Sequence, residues 1–243
     1  AQSSPIIFDL DGDGIETISK SQGVYFDHDG NNFKESTGWV GADDGLLVRD
    51  INGDGLIDSG AELFGNNTRL EGGILAQNGY KALTELDDNQ NGSLDSGDAI
   101  WKELQVWQDK NSNGRVDDGE LTSLDDLNIK NIATKYTSSS SVDENGNSHK
   151  QKSEITFTDG SKSVSTDVWF DSNIADSQYA GDYQLSEDIL NMPYLKGSGN
   201  MTDLHIAMSQ NDKLKALVEQ FIANPLEASK NNLLEDILFT WAG

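Results

Sequence analysis

Asp109-Lys-Asn-Ser-Asn-Gly-Arg-Val-Asp-Asp-Gly-Glu120 sets oxygen-bearing side chains at its first, third, fifth, ninth and twelfth positions, with glycine at its sixth. Alternation over the first five residues points carboxylate and amide oxygens toward one centre, and the glycine permits the sharp turn that brings the later residues round it. This is calcium-ligand spacing: a hard cation takes six to eight oxygens, with a carbonyl from position 7, a group at position 9 often acting through water, and an acid at position 12. Asp109, Asn111, Asn113, the Arg115 carbonyl, Asp117 and Glu120 fill those places, with Val116 as an apolar anchor at position 8.

The same pattern stands 22 residues earlier, in Asp87, Asn89, Asn91, Gly92, the Ser93 carbonyl, Asp95 and Asp98, with Leu94 as the anchor. Asn at positions 3 and 5 lowers the ligand charge of both loops, and Asp98 is a shorter closing acid than Glu, so modest affinity is expected. A step of 22 residues is too short for two independent helix–loop–helix units. One helix is therefore expected to leave the third loop and enter the fourth, burying Ile100, Leu104 and Trp107 at i, i+4 and i+7. Two related stretches lie upstream. Asp50, Asn52, Asp54, Gly55, the Leu56 carbonyl and Asp58 make a second loop, whose acid, Glu62, falls at position 13 and needs a bulge to reach the centre. Asp9, Asp11 and Asp13, with the Ile15 carbonyl, make a first loop, but Lys20 stands at position 12. That loop must borrow ligands, and the nearest candidates are Asp43-Asp44 or Asp27 and Asp29; taken alone, the Asp27 stretch reads as a turn.

Composition narrows the partners. The chain has 243 residues and carries 42 acids against 17 bases, a net charge of −25. Such a surface repels phosphate, which excludes nucleic acid and anionic membrane as binding partners. It also makes the metal-free chain repel itself, so cations should stabilise the compact state. A halophilic surface would spread its acids, whereas these cluster at ligand spacing. Five Trp and eight Phe support a real core despite a 35% apolar fraction. No cysteine is present, so neither disulfides nor thiolate metal sites hold the fold. No apolar run approaches the length of a membrane span. The start on Ala-Gln-Ser-Ser without Met is expected of a piece of a longer polypeptide. His28, His149 and His205 share no zinc-like spacing and are expected on the surface or on helices. No Ser-His-Asp arrangement, phosphate loop or dinucleotide fingerprint is present.

Around the loops, residues 5–9 read as an apolar strand, residues 24–48 as strands and turns with Trp39 and Leu46-Leu47-Val48 as core, and Tyr80 to Leu86 as a helix. Strands return between Ile129 and Phe170, where Asp159-Gly160 is expected as a two-residue hairpin turn. Beyond Gly181 the chain turns helical. Leu214, Leu217, Val218, Phe221 and Ile222 mark one amphipathic helix and Leu233, Leu234, Ile237, Leu238 and Trp241 another, with Pro225 between them. Their polar faces are not basic, so mutual packing is expected rather than a membrane surface. The expectation is an α+β fold: short strands and helices organised around several EF-hand-like calcium loops, a β-hairpin and a C-terminal helical segment. Residues 1–174 would form the calcium-binding module and 175–243 the helical part.

The run Ser4-Pro-Ile-Ile-Phe-Asp-Leu-Asp-Gly-Asp-Gly-Ile-Glu-Thr17, with Thr37-Gly-Trp-Val-Gly-Ala-Asp-Asp-Gly-Leu-Leu-Val-Arg-Asp50 and Gly60-Ala-Glu-Leu-Phe-Gly65, resembles the calcium-dependent self-processing module of RTX proteins, the FrpC-like family of type I secreted proteins. The resemblance covers roughly residues 5–135 and, more loosely, the hairpin to about 170; the helical tail is similar to segments that accompany this module. It implies a module that calcium folds outside the cell or at the bacterial surface, beside flanking domains or a surface protein; the loops themselves point to three or four ions. It also implies self-processing, in which an Asp before Pro at the N-terminal edge attacks its own carbonyl to give an anhydride that water or a lysine amine opens. Here Ser4 precedes Pro5, and serine has no carboxylate, so the scaffold is expected without that reaction and the chain is not expected to act as an enzyme. Two other readings stand beside a calcium-binding folding module: calcium-triggered autoproteolysis with cross-linking, and a partner-binding module whose loop-helix repeat is similar to dockerins.

Overall fold

The computed structural model describes residues 2–228 and 231–243. They divide into two compact units, residues 1–31 with 35–173 and residues 32–34 with 174–243.

The chain forms strands β1 (Gln2–Ser3), β2 (Ile6–Phe8), β3 (Thr17–Ile18), β4 (Tyr25–Phe26), β5 (Phe33–Thr37), β6 (Trp39–Val40) and β7 (Gly45–Arg49). After helix α1 (Gly79–Glu85) come β8 (Ser93–Asp95), β9 (Leu104–Trp107), β10 (Leu121–Ser123), β11 (Ile129–Ala133), β12 (Thr137–Val142), β13 (Ser148–Phe157) and β14 (Lys162–Tyr179). Twelve of these strands share one sheet, whose main path runs β10-β9-β7-β2-β14-β13-β11-β8; β3 and β6 pair separately. Neighbours along the path are antiparallel.

The sheet forms because its central strands are apolar on both faces. Ile6 and Phe8 of β2, Leu47 of β7 and Val106 of β9 enter one core, while Ile7, Leu46, Val48 and Trp107 from the same strands enter another. Period-two alternation thus sends one set to each side, and continuous runs such as Ile6-Ile-Phe8 mark strands covered twice. The register lines up Ile7, Leu46 and Trp107 across three strands. Helix α1 covers the first core with Tyr80, Ala82 and Leu83. The second is aromatic, with Trp39 tilted against Phe26 at 5.0 Å and set edge-on to Trp107 at 5.5 Å. Burying side chains of this size removes roughly 150–250 Å² each, or about 4–6 kcal/mol at ~25 cal/mol per Å².

The expected α+β arrangement around EF-hand-like units is overturned by this sheet. None of the four acidic loops lies between two α-helices. The stretch expected as a shared helix is a 3-10 turn, Ala99–Glu103, followed by β9. The spacing of Ile100, Leu104 and Trp107 fits a helix face, but Val106 and Trp107 have opposite sides to fill, and β9 finds partners in both β7 and β10. Asp98, at the start of that turn, gives it no side-chain cap; its carboxylate is committed to the preceding loop. The hairpin turn also differs. Phe157 donates to the Ser161 carbonyl and Gly160, at φ 87°, donates to the Phe157 carbonyl. The connection is therefore three residues long, with glycine in the left-handed position.

In the second unit, α2 (Glu187–Leu190), α3 (Leu204–Gln210), α4 (Asp212–Ala223), α5 (Pro225–Ala228) and α6 (Leu233–Ala242) follow in order. Leu204, Met208, Leu214, Val218 and Ile237 form their core, against which Leu217, Phe221 and Trp241 pack. Asn211 caps α4 by accepting the Leu214 amide at 3.1 Å, and the Trp241 indole closes on the Thr202 carbonyl at 2.8 Å.

Candidate metal centre

All four acidic loops lie in the first unit and share one local architecture. Each opens on a carboxylate that gathers backbone N–H groups from the turn that follows. Asp9 accepts Gly12 and Gly14, Asp50 accepts Gly53 and Gly55, Asp87 accepts Asn91 and Gly92, and Asp109 accepts Asn113 and Gly114, at 2.7–3.2 Å. Glycine at position 6 takes φ between 69° and 119° in all four, a conformation that strains any side chain.

A second carboxylate closes each loop by bridging two amides. Glu120 accepts Lys110 and Asp117, both at 3.0 Å, which are positions 2 and 9. Asp98 accepts Asp88 and Asp95 at 2.8 and 2.9 Å, the same positions. Glu62 accepts Ile51 and Asp58 at 3.1 and 3.0 Å, again the same positions; the 3-10 turn Gly60–Glu62 absorbs the extra residue. In loop one Asp44 performs the role from β7's edge, accepting Leu10 at 3.3 Å and Glu16 at 2.8 Å. Of the residues considered for that loop, Asp44 is thus the one whose carboxylate bridges its backbone. Asp43 is exposed and meets Gln108 through its backbone carbonyl.

Burial follows role. The closing acids Asp44, Glu62, Asp98 and Glu120 are buried, as are the opening acids Asp9, Asp87 and Asp109, while Asp50 is half-buried. The intermediate residues Asp11, Asp13, Asn52, Asp54, Asn89, Asn91, Asn111, Asn113 and Asp117 are exposed, as are Leu56, Asp58 and Arg115, whereas Ile15, Ser93 and Asp95 are half-buried. Ile15 packs against the second core. Amide groups sit between acids within the loops: Asn111 and Asn113 both donate to Asp117 Oδ2 at 2.8 Å, and Asn91 donates to Asp95 at 2.9 Å.

Crowding of like charge leaves its mark. Asp9, Asp11 and Asp44 each bring an oxygen within 4.8 Å of the others. Burial pushes the Asp44 carboxyl up to about 8, with Glu16 opposing its ionisation further. Asp13 is raised to about 6 by its hydrogen bond with Asp11. Burial also raises Glu62 and Asp109. These groups resist carrying charge unless a cation joins them. The donors are oxygens alone, with neither sulfur nor imidazole, which suits a hard cation such as calcium.

Loop four is wired to the aromatic core, a link that local spacing does not reveal. The Trp39 indole donates to Asp109 Oδ2 at 2.8 Å, and the Trp107 indole donates to Glu120 Oε2 at 3.1 Å. The loop itself joins β9 to β10, so it is the tip of a hairpin. Loop three differs, running from α1 into β8, whose Leu94 pairs with Ile132 of β11. Ser4 is buried, its N–H donating to Asn66 at 2.8 Å and its Oγ accepting the Asn66 amide at 3.1 Å. The histidines are buried, against the surface expectation for His28 and His149; His205 lies on α3. His28 meets Thr37 at 2.9 Å and burial lowers its pKa to about 4.

A family model of the SPM domain matches residues 6–171. The chain belongs to the SPM domain family. It is also 37% identical over 240 residues to iron-regulated protein FrpA of Neisseria meningitidis serogroup C, covering 98% of this chain. That alignment takes in 22% of FrpA, so this SPM chain spans about a fifth of its relative's length. No helix among the described residues is long and apolar enough to cross a membrane.

Proposed function

We propose that this SPM chain is a calcium-binding folding module of a large secreted RTX-type protein. The observation that carries the reading is the repeated pair of carboxylates in each loop, one gathering the turn and one bridging positions 2 and 8 or 9. Folding brings these acids together, and a cation that binds only the folded chain offsets their repulsion. Asp9, Asp11, Asp13 and Asp44 would hold one ion, Asp50, Asn52, Asp54 and Glu62 a second, Asp87, Asn89, Asn91 and Asp98 a third, and Asp109, Asn111, Asn113 and Glu120 a fourth.

Linkage supplies the mechanism. A ligand specific to the folded form stabilises it by about 2.7 kcal/mol per site at a hundred times Kd, so three or four sites contribute roughly 8–11 kcal/mol. That equals a typical domain's whole stability of ~5–15 kcal/mol. The chain would stay open in low calcium, fit for export, and close outside the cell or at its surface beside flanking domains. Ser4 has no carboxylate, so the module folds without cutting its own backbone.

Far-UV circular dichroism during calcium titration of chelator-stripped protein, with magnesium as control, tests this. The expected result is a cooperative gain of structure at ~10⁻⁴–10⁻³ M calcium, the range of extracellular modules. A spectrum already folded and unmoved by calcium would overturn it.

A further inference from the structure

We infer that Asp27, Asp29, Asn31 and Glu35 form a fifth site for a hard divalent cation of the calcium type, closed by Glu35 at position 9. The inference rests on the calcium reading above and adds a site whose spacing, Asp-His-Asp-Gly-Asn-Asn-Phe-Lys-Glu, resembles a turn rather than a twelve-residue loop.

The opening acid behaves like the other four. Asp27 is buried, and its Oδ1 accepts the amides of Gly30 at 2.8 Å and Asn31 at 3.1 Å. Asp29 and Asn31 follow at positions 3 and 5, and Asn32 at position 6 takes φ 67°, where the other loops carry glycine. The decisive residue is Glu35, which is only 7% exposed. The backbone N–H groups of Glu35 itself and of His28 favour its ionised form. Those are positions 2 and 9 counted from Asp27, the pair that Glu62, Asp98 and Glu120 bridge in their loops. Its Oε2 is buried and has no hydrogen-bond partner.

An orphaned, buried carboxylate oxygen is costly unless something fills its place. Burial, and then the charges of Asp29 and Asp27, raise Glu35 to about 7, so its neighbours in the site are acids. Oxygen donors alone, crowded and underpaired, match a hard cation. The carboxylates of Asp27, Asp29 and Glu35 stand further apart than those of Asp9, Asp11 and Asp44. Asp29 is exposed, and its two oxygens accept the backbone N–H and the side-chain amide of Asn31 at 3.3 and 3.1 Å.

Such a site would not be isolated. The Asp27 carbonyl accepts the Gly60 amide at 2.8 Å, two residues before Glu62 closes loop two. Gly60 lies so close to the His28 carbonyl that a Cβ there would collide with it. The His28 ring in turn packs 5.2 Å from Phe26 and 6.3 Å from Trp39. Occupancy of the fifth site would therefore brace loop two and the aromatic core together.

Native mass spectrometry of the whole chain in calcium counts the ions. The Glu35→Gln and Asp29→Asn chains are expected to hold one ion fewer than the parent, with circular dichroism in calcium unchanged. Asp29 is exposed, so its variant reports even where the buried Glu35 change impairs folding. Variants that hold as many ions as the parent would overturn the fifth site and leave the other four standing, whereas a parent that holds none would overturn the calcium reading itself.

Discussion

Glu120→Gln separates a metal ligand from a structural cap. Glu120 is 3% exposed and accepts three hydrogen bonds, from Lys110, Asp117 and the Trp107 indole. Glutamine keeps the volume. Its oxygen can take the place of Oε2, which serves two donors, but its NH₂ then faces the Lys110 amide donor to donor. One buried bond is lost, at a cost of about 1–3 kcal/mol at any calcium concentration. The ligand role has a different signature. Each ion bound only by the folded state adds RT ln 10, about 1.4 kcal/mol, for every tenfold rise in calcium above Kd. The parent's stability should therefore climb along a line whose slope counts its sites, and the variant's line should be shallower by about 1.4 kcal/mol per decade. Urea unfolding, followed by tryptophan fluorescence at calcium concentrations that keep both chains folded, gives the two lines. Parallel lines separated by a constant offset would refute the ligand role and leave Glu120 as a cap for the β9–β10 hairpin.

Other perturbations act on different parts of the scaffold. Asp44 has a folded pKa of about 8 against about 3.9 when unfolded, so the unfolded chain surrenders that proton first and its contribution falls as pH rises from ~4 to ~8. In chelator, thermal unfolding at pH 5, 6.5 and 8 should show a steeper decline for the parent than for Asp44→Asn; equal declines would remove Asp44 from the account. Trp39→Phe removes a buried indole and leaves Asp109 Oδ2 short of one donor, so a loss of about 2–4 kcal/mol is expected. Calcium-saturated urea curves check it, and a loss under ~0.5 kcal/mol would deny the coupling between loop four and the core. The parent should stay intact on adding calcium, as judged by gel mobility and mass. Ser4→Asp with upstream residues attached should be cut before Pro5, and an uncut variant would sink any self-processing capacity in this scaffold.

The first and third to sixth positions of the loops were legible because alternation and glycine act over neighbouring residues. Asp109-x-Asn-x-Asn-Gly114 and Asp87-x-Asn-x-Asn-Gly92 turn as their spacing dictates. The strands at 6–8 and 45–49 and the helix at 79–85 were legible too, because their apolar runs and periods are local. What lay between the loops was not. Ile100, Leu104 and Trp107 fit a helical stripe, yet the segment extends because β7 and β10 supply ladder partners and a core waits on both sides. That choice is tertiary, and it removed the EF-hand-like frame.

The closing acids show the same division between local and distant causes. Counting positions finds Asp98 and Glu120, leaves Glu62 one residue late, and offers Asp44 only as one of several residues that loop one could borrow. Read by the amides they bridge, Asp44, Glu62, Asp98 and Glu120 are alike: each takes the N–H of position 2 and another at position 8 or 9. Those two N–H groups converge once the opening carboxylate has fixed the turn, and they present a fixed pair of donors to whatever acid the fold delivers. For Glu120 and Asp98 the chain delivers it directly, for Glu62 through a 3-10 turn, and for Asp44 through the pairing of β2 with β7, 34 residues downstream. The donor pair, not the spacing, defines the closing acid, so the sheet register that carries Asp44 to loop one is as much a part of that site as Asp9 itself.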